Sequence, residues 1–280
     1  MRFGFHISIS GGLRNVAERA KELNCDCAQI FSRNPRGWKY TLLDKDDVKE
    51  FKQSTSVAKI SPVVIHMPYL PNLASPDKQL YKQSVDSLTE ELRRTKILGI
   101  KYVVTHVGKA MREPIPNALK RVTEALNQAL NEVKNKSIVL LENTAGQGSE
   151  IGYKFEHIAE IMESVSSKER VGVCFDTCHA YAAGYDIATE KGLEKTVSEI
   201  NTLIDSEKIK IVHLNDAKKE LGSHVDRHWQ IGKGFIGEEG FRLIINHPAF
   251  KNLHGIMETP RTDIKEAIQN MKIIRSLSDS

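Results

Sequence analysis

Short apolar runs rich in Val, Ile and Leu alternate along the chain with longer stretches whose apolar residues fall three and four apart. The first pattern suits a strand buried on both faces, the second an amphipathic helix. Strands are expected at Phe3–Ile9, Ala28–Phe31, Val63–His66, Tyr102–His106, Ile138–Glu142, Val171–Asp176, Ile209–His213 and Gly255–Glu258. A Gly11-Gly12 turn leads into a helix over Leu13–Leu23, and Val122, Leu126, Ala129, Leu130 and Val133 mark one face of a later helix. Ile264, Ile268, Met271, Ile274 and Leu277 do the same for the last. Strands that alternate with helices pair in parallel, because a parallel neighbour requires a crossover connection. Eight such units in 280 residues predict an α/β fold, a (β/α)8 TIM barrel, as a single domain over residues 1–280. An open doubly wound sheet is the alternative. It would carry a Gly-rich phosphate loop after its first strand, and His6-Ile7-Ser8-Ile9-Ser10-Gly11-Gly12 does not match that pattern.

Composition narrows the class without choosing a chemistry. With 40% apolar and 27% charged residues, the chain is neither disordered, collagenous nor a coiled coil. No window approaches the roughly 18 consecutive apolar residues of a membrane helix, and Met1-Arg2-Phe3-Gly4 runs into a strand rather than a signal peptide. A cytoplasmic protein without membrane contact is therefore expected, with a monomer as the simplest state. A net charge of +4 with no long basic block permits an anionic substrate but does not demand one. Cys25, Cys27, Cys174 and Cys178 lie in or beside the apolar runs, where a free cysteine acts as a compact hydrophobe. Disulfides are not expected without a secretory route.

What ends the strands carries more information. Val63-Val64-Ile65 ends in His66, Tyr102 to Thr105 in His106, and Ile138 to Leu141 in Glu142. The next three runs end in Asp176, His213 and Glu258. These residues recur every 34 to 45 positions, the period of the structural unit, so a barrel would gather them at its catalytic mouth. A lone His or Glu at a strand end is usually a hydrogen-bonded core group, but six in register are not explained that way. Converging carboxylates raise one another's pKa, and a cation relieves the repulsion. His179, three residues beyond Asp176, and the alternate pair Asp226 and His228 can reach the same mouth.

That makes nine donors, five imidazoles and four carboxylates, enough for three metals with three protein ligands and an open position each. Zinc suits such mixed ligation, whereas magnesium prefers oxygen; manganese in one position is compatible. Three divalent cations against four carboxylates leave roughly two positive charges, which favours a phosphodiester substrate and in-line displacement between closely spaced metals.

Several long stretches resemble the endonuclease IV family. They are His66-Met67-Pro68-Tyr69-Leu70-Pro71-Asn72, Leu141-Glu142-Asn143-Thr144-Ala145-Gly146, Phe175-Asp176-Thr177-Cys178-His179-Ala180 and Asp226-Arg227-His228-Trp229-Gln230-Ile231-Gly232-Lys233-Gly234, and the likeness spans essentially the whole chain. The resemblance implies a trinuclear-zinc TIM barrel of base excision repair. His66 and His106 would hold one zinc, with Glu142 bridging it to a second completed by Asp176, His213 and Glu258. His179, Asp226 and His228 would hold the third. A hydroxide shared by the metals would attack the phosphate 5′ to an abasic site in duplex DNA, leaving a 3′-hydroxyl and a 5′-deoxyribose phosphate. Activity on blocked 3′ ends would follow from the same site. The loop Ser32-Arg33-Asn34-Pro35-Arg36-Gly37-Trp38 resembles the family's DNA-penetrating loop, in which Arg36 inserts into the base stack beside Asn34, and Tyr69 resembles the second wedge. Relatives often carry Gln where this chain has Gly37, and Ser where it has Ala217. Arg227 and Lys233 are phosphate-contact candidates.

Two rival readings exist. A sugar isomerase or epimerase would use Glu142, Asp176, His213 and Glu258 around one or two metals, leaving His66, His106, His179, Asp226 and His228 idle. A non-catalytic binder of damaged DNA would need closed, four-coordinate structural sites, typically Cys-rich. Of the other histidines, His157, His224, His247 and His254 read as ordinary packing or surface residues, while His6 faces the mouth by position and can orient a ligand.

Overall fold

Eight of the expected strands form, and side-chain alternation within them decides what enters the barrel. The structure, a computed structural model, describes residues 1–260 and 263–278. Its strands are β1 (Arg2–His6), β2 (Cys27–Ile30), β3 (Val63–His66), β4 (Tyr102–His106), β5 (Ile138–Glu142), β6 (Val171–Asp176) and β7 (Ile209–His213), then a short pair, β8 (Asp216–Ala217) and β9 (His228–Trp229), and finally β10 (His254–Met257). Among the described residues, β1, β10, β7, β6, β5, β4, β3 and β2 close in that order into a parallel barrel, and β8 pairs antiparallel with β9.

Each barrel strand is followed by at least one helix: α1 (Val16–Glu22), α2 (Lys45–Val57), α3 (Lys78–Leu98), α4 (Ile115–Glu132), α5 (Phe155–Ser164), α6 (Thr177–Ala183) with α7 (Glu190–Leu203), α8 (Gly237–Asn246) and α9 (Ile264–Ser276). Helix α3 starts where the Asp77 carboxylate accepts the Leu80 N–H at 2.7 Å and stops at Gly99, whose φ of 71° suits a residue without Cβ. No described helix is long and apolar enough to cross a membrane.

Five expected strands match residue for residue, and the remaining edges shift by identifiable causes. Strand β1 stops at His6, so Ile7–Ile9 lie outside it. The helix expected from Leu13 opens as a 3-10 turn over Leu13–Asn15, because the Asp47 carboxylate of α2 accepts the N–H groups of Leu13 and Arg14 at 2.8 and 3.0 Å. Strands β2 and β10 each begin and end one residue earlier than expected, leaving Phe31 and Glu258 just past their ends. Val133 follows α4 in an extended conformation.

Alternate residues of a strand point to opposite faces. Cys27, Val64, Val104, Leu140, Cys174, Ile211 and Ile256 pack together inside the barrel as an apolar floor, separate from the larger core between strands and helices. Burying each aliphatic side chain of that floor stabilises the fold by roughly 1.5–3 kcal/mol. In β1 the corresponding place is taken by Gly4, where a Cβ would lie 1.9 Å from the Cys27 carbonyl oxygen. Two residues beyond the floor, alternation turns inward His6, Gln29, His66, His106, Glu142, Asp176, His213 and Glu258. One ring of side chains is therefore dry and the next is polar.

Candidate metal centre

Glu142 is fully buried at the centre of that polar ring. Its Oε2 lies 3.1 Å from His66 Nε2 and 3.3 Å from His106 Nε2, and its Oε1 lies 2.9 Å from His213 Nδ1 and 3.4 Å from His179 Nδ1. His213 Nδ1 is also 3.3 Å from Glu258 Oε2 and 3.7 Å from Asp176 Oδ2. Asp176 caps α6, its Oδ1 accepting the His179 N–H at 2.8 Å. That cap turns the His179 ring back over the mouth, with Nε2 3.3 Å from Asp226 Oδ1 and 3.4 Å from His228 Nε2. The β8–β9 ladder folds residues 218–227 over the opening. Because strand neighbours alternate, Asp226 and His228 face inward while Arg227 is exposed.

All nine predicted donors meet, and they sort into three groups whose donor atoms lie within 4.8 Å of one another: His66, His106 and Glu142; Glu142, Asp176, His213 and Glu258; and His179, Asp226 and His228. Each group can hold a cation, and Glu142 belongs to two of them. Outer contacts fix the rings as they do around metal ligands. His66 Nδ1–H donates to the Met67 carbonyl at 2.6 Å, and Asn215 Nδ2–H donates to Asp176 Oδ2 at 2.7 Å.

Charge balance points the same way. Burial alone would raise the Glu142 pKa, but the imidazoles of His213 and His106 hold it well below the ordinary carboxylate value. Burial would lower His179, yet Asp176, Asp226 and Glu142 carry it well above the usual imidazole value. Carboxylates that favour the charged form of His179 favour positive charge, which a metal ion can supply. Cys178 also has its sulfur within reach of Asp176 and His228. Burial pushes its thiol far up, so it stays protonated, and all four cysteines are free and buried.

A family model described as a xylose isomerase-like TIM barrel matches residues 17–277. Over 281 residues the chain is 44% identical to the probable endonuclease 4 of Methanosphaerula palustris, covering 99% of this chain and 98% of that one. The chain belongs to the endonuclease IV family. Its fold matches the crystal structure of endonuclease IV from Thermus thermophilus with a TM-score of 0.87 at 35% identity, covering 99% and 98% of the two chains. A D-tagatose 3-epimerase-like protein, at 20% identity and a TM-score of 0.73 over 99% of this chain and 97% of that one, shares the fold alone.

Around the opening of this family member, the loop residues expected to meet a substrate stand clear of the core. Tyr69 is 69% exposed and rests edge-on against Phe31, with ring centroids 5.1 Å apart. Burial of its inner edge raises the phenol pKa, as do Glu258 and Glu142, whereas Arg36 opposes them. Asn34 Oδ1 accepts the Arg36 N–H at 3.0 Å, shaping the turn that presents Arg36. Trp38 is half-buried, Arg227 and Lys233 are exposed, and a Cβ added at Gly37 would meet nothing within 4 Å.

Two features escaped the sequence reading. The loop that carries Asn34 and Arg36 rests on a buried ion pair, Arg33 Nε to Glu91 Oε1 at 3.1 Å, and the same guanidinium donates to the Gly37 carbonyl at 2.5 Å and to Ser87 Oγ at 2.7 Å. Local periodicity gives no sign of a pair 58 residues apart. Gln29 is the other, legible only as the position two residues beyond the floor residue Cys27. Among the remaining histidines, His6 Nδ1 lies 3.4 Å from Glu258 Oε1, as an orienting residue would. His157 accepts the Gly152 N–H, His224 contacts the Ala145 carbonyl and His247 contacts Glu194, all ordinary structural roles, and His254 is the first residue of β10.

Proposed function

We propose that the protein is a zinc-dependent DNA-repair endonuclease that hydrolyses the phosphodiester 5′ to an abasic site in duplex DNA. The products are a 3′-hydroxyl and a 5′-deoxyribose phosphate, and the same site clears blocked 3′ ends. One observation carries this reading: nine His, Asp and Glu donors gathered in three groups, two of which share Glu142. His66, His106 and Glu142 would hold one zinc; Glu142, Asp176, His213 and Glu258 the second; His179, Asp226 and His228 the third, with manganese compatible in one position. Bound there, the metals supply an activated water and stabilise the attacking and leaving oxygens of the displaced phosphate.

The chain's own residues supply recognition. Arg36 and Tyr69 fill the gap left by a missing base, where unstacking costs least. Arg227, between two donors, and Lys233 are exposed and would meet phosphate oxygens. His106 and Asp226, whose side chains are 39% and 33% exposed, leave the mouth accessible while Glu142 and His213 below them are fully buried. A sugar isomerase would need only the central group, leaving five of the donors without a task.

The test is incision of a labelled duplex carrying one tetrahydrofuran abasic analogue. Cleavage on its 5′ side, extension of the product by a polymerase, loss of activity with chelator and recovery with zinc are expected. Turnover of a free ketose without nicking would replace this reading with isomerase chemistry.

A further inference from the structure

Gln29 is buried in the polar ring but is not among the nine donors. An uncharged amide in a charged pocket must have its hydrogen bonds satisfied, and its partners are two of the donors together with His6. Gln29 Oε1 lies 2.9 Å from His213 Nε2, and Gln29 Nε2 lies 2.6 Å from Glu258 Oε1 and 3.1 Å from His6 Nδ1. Glu258 fixes the orientation of the amide. Only the NH2 end can donate to a carboxylate, so the carbonyl end must face His213.

With the amide so oriented, His213 donates through Nε2, so Nδ1 is the nitrogen that can give up its proton to a cation. That nitrogen is the one facing Glu142, Glu258 and Asp176. The same amide engages Oε1 of Glu258 and leaves Oε2 beside His213 Nδ1. One side chain thereby presets two donors of the central group.

We propose that Gln29 is a positioning residue for the group formed by Glu142, Asp176, His213 and Glu258, selecting the His213 nitrogen and the Glu258 oxygen offered to the cation. This rests on the zinc reading above. A residue that merely filled the barrel would be replaced without loss by methionine, which matches its length but offers neither a strong acceptor nor a donor. Outer contacts of this kind are worth about 10- to 100-fold in metal affinity.

The experiment is a competitive zinc titration of chelator-stripped wild type and Gln29→Met, with thermal unfolding of both stripped proteins. Anomalous scattering from crystals grown at limiting zinc then identifies the position that fills last. Wild type is expected to take up about three zinc ions. In Gln29→Met, the central position alone should weaken by about 10- to 100-fold, while the other two positions and the unfolding midpoint of the stripped protein hold. If stripped Gln29→Met does not fold, Gln29→Asn, one methylene too short to reach both partners, is measured in its place. Unchanged affinities, or equal weakening at every position, overturn the role of Gln29. Wild type that takes up no zinc overturns the zinc reading itself, which separates the two failures.

Discussion

Replacing Glu142 with glutamine tests the geometry of the centre most directly. Both oxygens face imidazoles, Oε2 those of His66 and His106 and Oε1 those of His213 and His179, at 2.9–3.4 Å. The amide keeps the shape and can still hydrogen-bond, so the stripped variant should fold. What it loses is the negative charge shared by two of the three groups. Removing one partner of a buried charge cluster costs about 3–5 kcal/mol. At about 1.4 kcal/mol per decade, that is roughly two to three and a half decades of cation affinity. Zinc content against a competing chelator should fall from about three ions to about one, held by His179, Asp226 and His228, a group that does not contain Glu142. Incision should fall at least a thousandfold, whereas affinity for abasic duplex should change little, because Arg36, Tyr69 and Arg227 lie outside the change. A Glu142→Gln protein that keeps three zinc ions and cleaves within tenfold of wild type would refute the shared-donor argument.

Three further outcomes follow from the same structure. Tyr69→Ala removes an exposed ring whose stacking on a base is worth about 1–3 kcal/mol; KM for abasic duplex should rise about 5- to 150-fold with kcat nearly unchanged, and the opposite split contradicts the wedge. Glu91→Gln leaves Arg33 buried beside a neutral partner, so urea unfolding should show a loss of about 3–5 kcal/mol, and a loss under about 1 kcal/mol would show that the loop does not depend on the pair. In stripped protein, burial lowers the His213 pKa but Cys174, Glu258 and Glu142 carry it well above its usual value, as Asp176 and Asp226 do for His179. Raised imidazoles stabilise fully below an unfolded value of about 6.5 and lose that contribution as pH rises through the folded one. The stripped protein's unfolding midpoint should therefore decline above about pH 6.5, and a midpoint that climbs steadily to pH 9 would contradict this.

The centre was legible because the barrel converts a sequence period into a ring. Val64, Val104, Leu140, Cys174, Ile211 and Ile256 each precede a candidate donor by two residues, so an apolar ring and a ring of His, Asp and Glu side chains succeed one another inside the barrel. Asp176 and His179 were readable together for a local reason, since an Asp three residues before a helical His caps the helix and brings the two side chains to the same mouth. Where legibility failed, the responsible contact came from elsewhere in the chain. The helix expected at Leu13 opened as a 3-10 turn because Asp47, 34 residues on, takes its first amide. Arg33 looked like one more loop cation until the fold brought Glu91 beneath it.

Gln29 failed to register for a different reason. It stands in the donor ring by position, but an amide is a weak metal ligand and was not counted by residue type. Extending the two-residue rule to β1 and β2 would have placed both His6 and Gln29 beside Glu258, where the structure has them. The ring thus has two kinds of member: β3 to β7 end in donors and β10 leads directly into one, Glu258, while β1 and β2 supply the side chains that orient them.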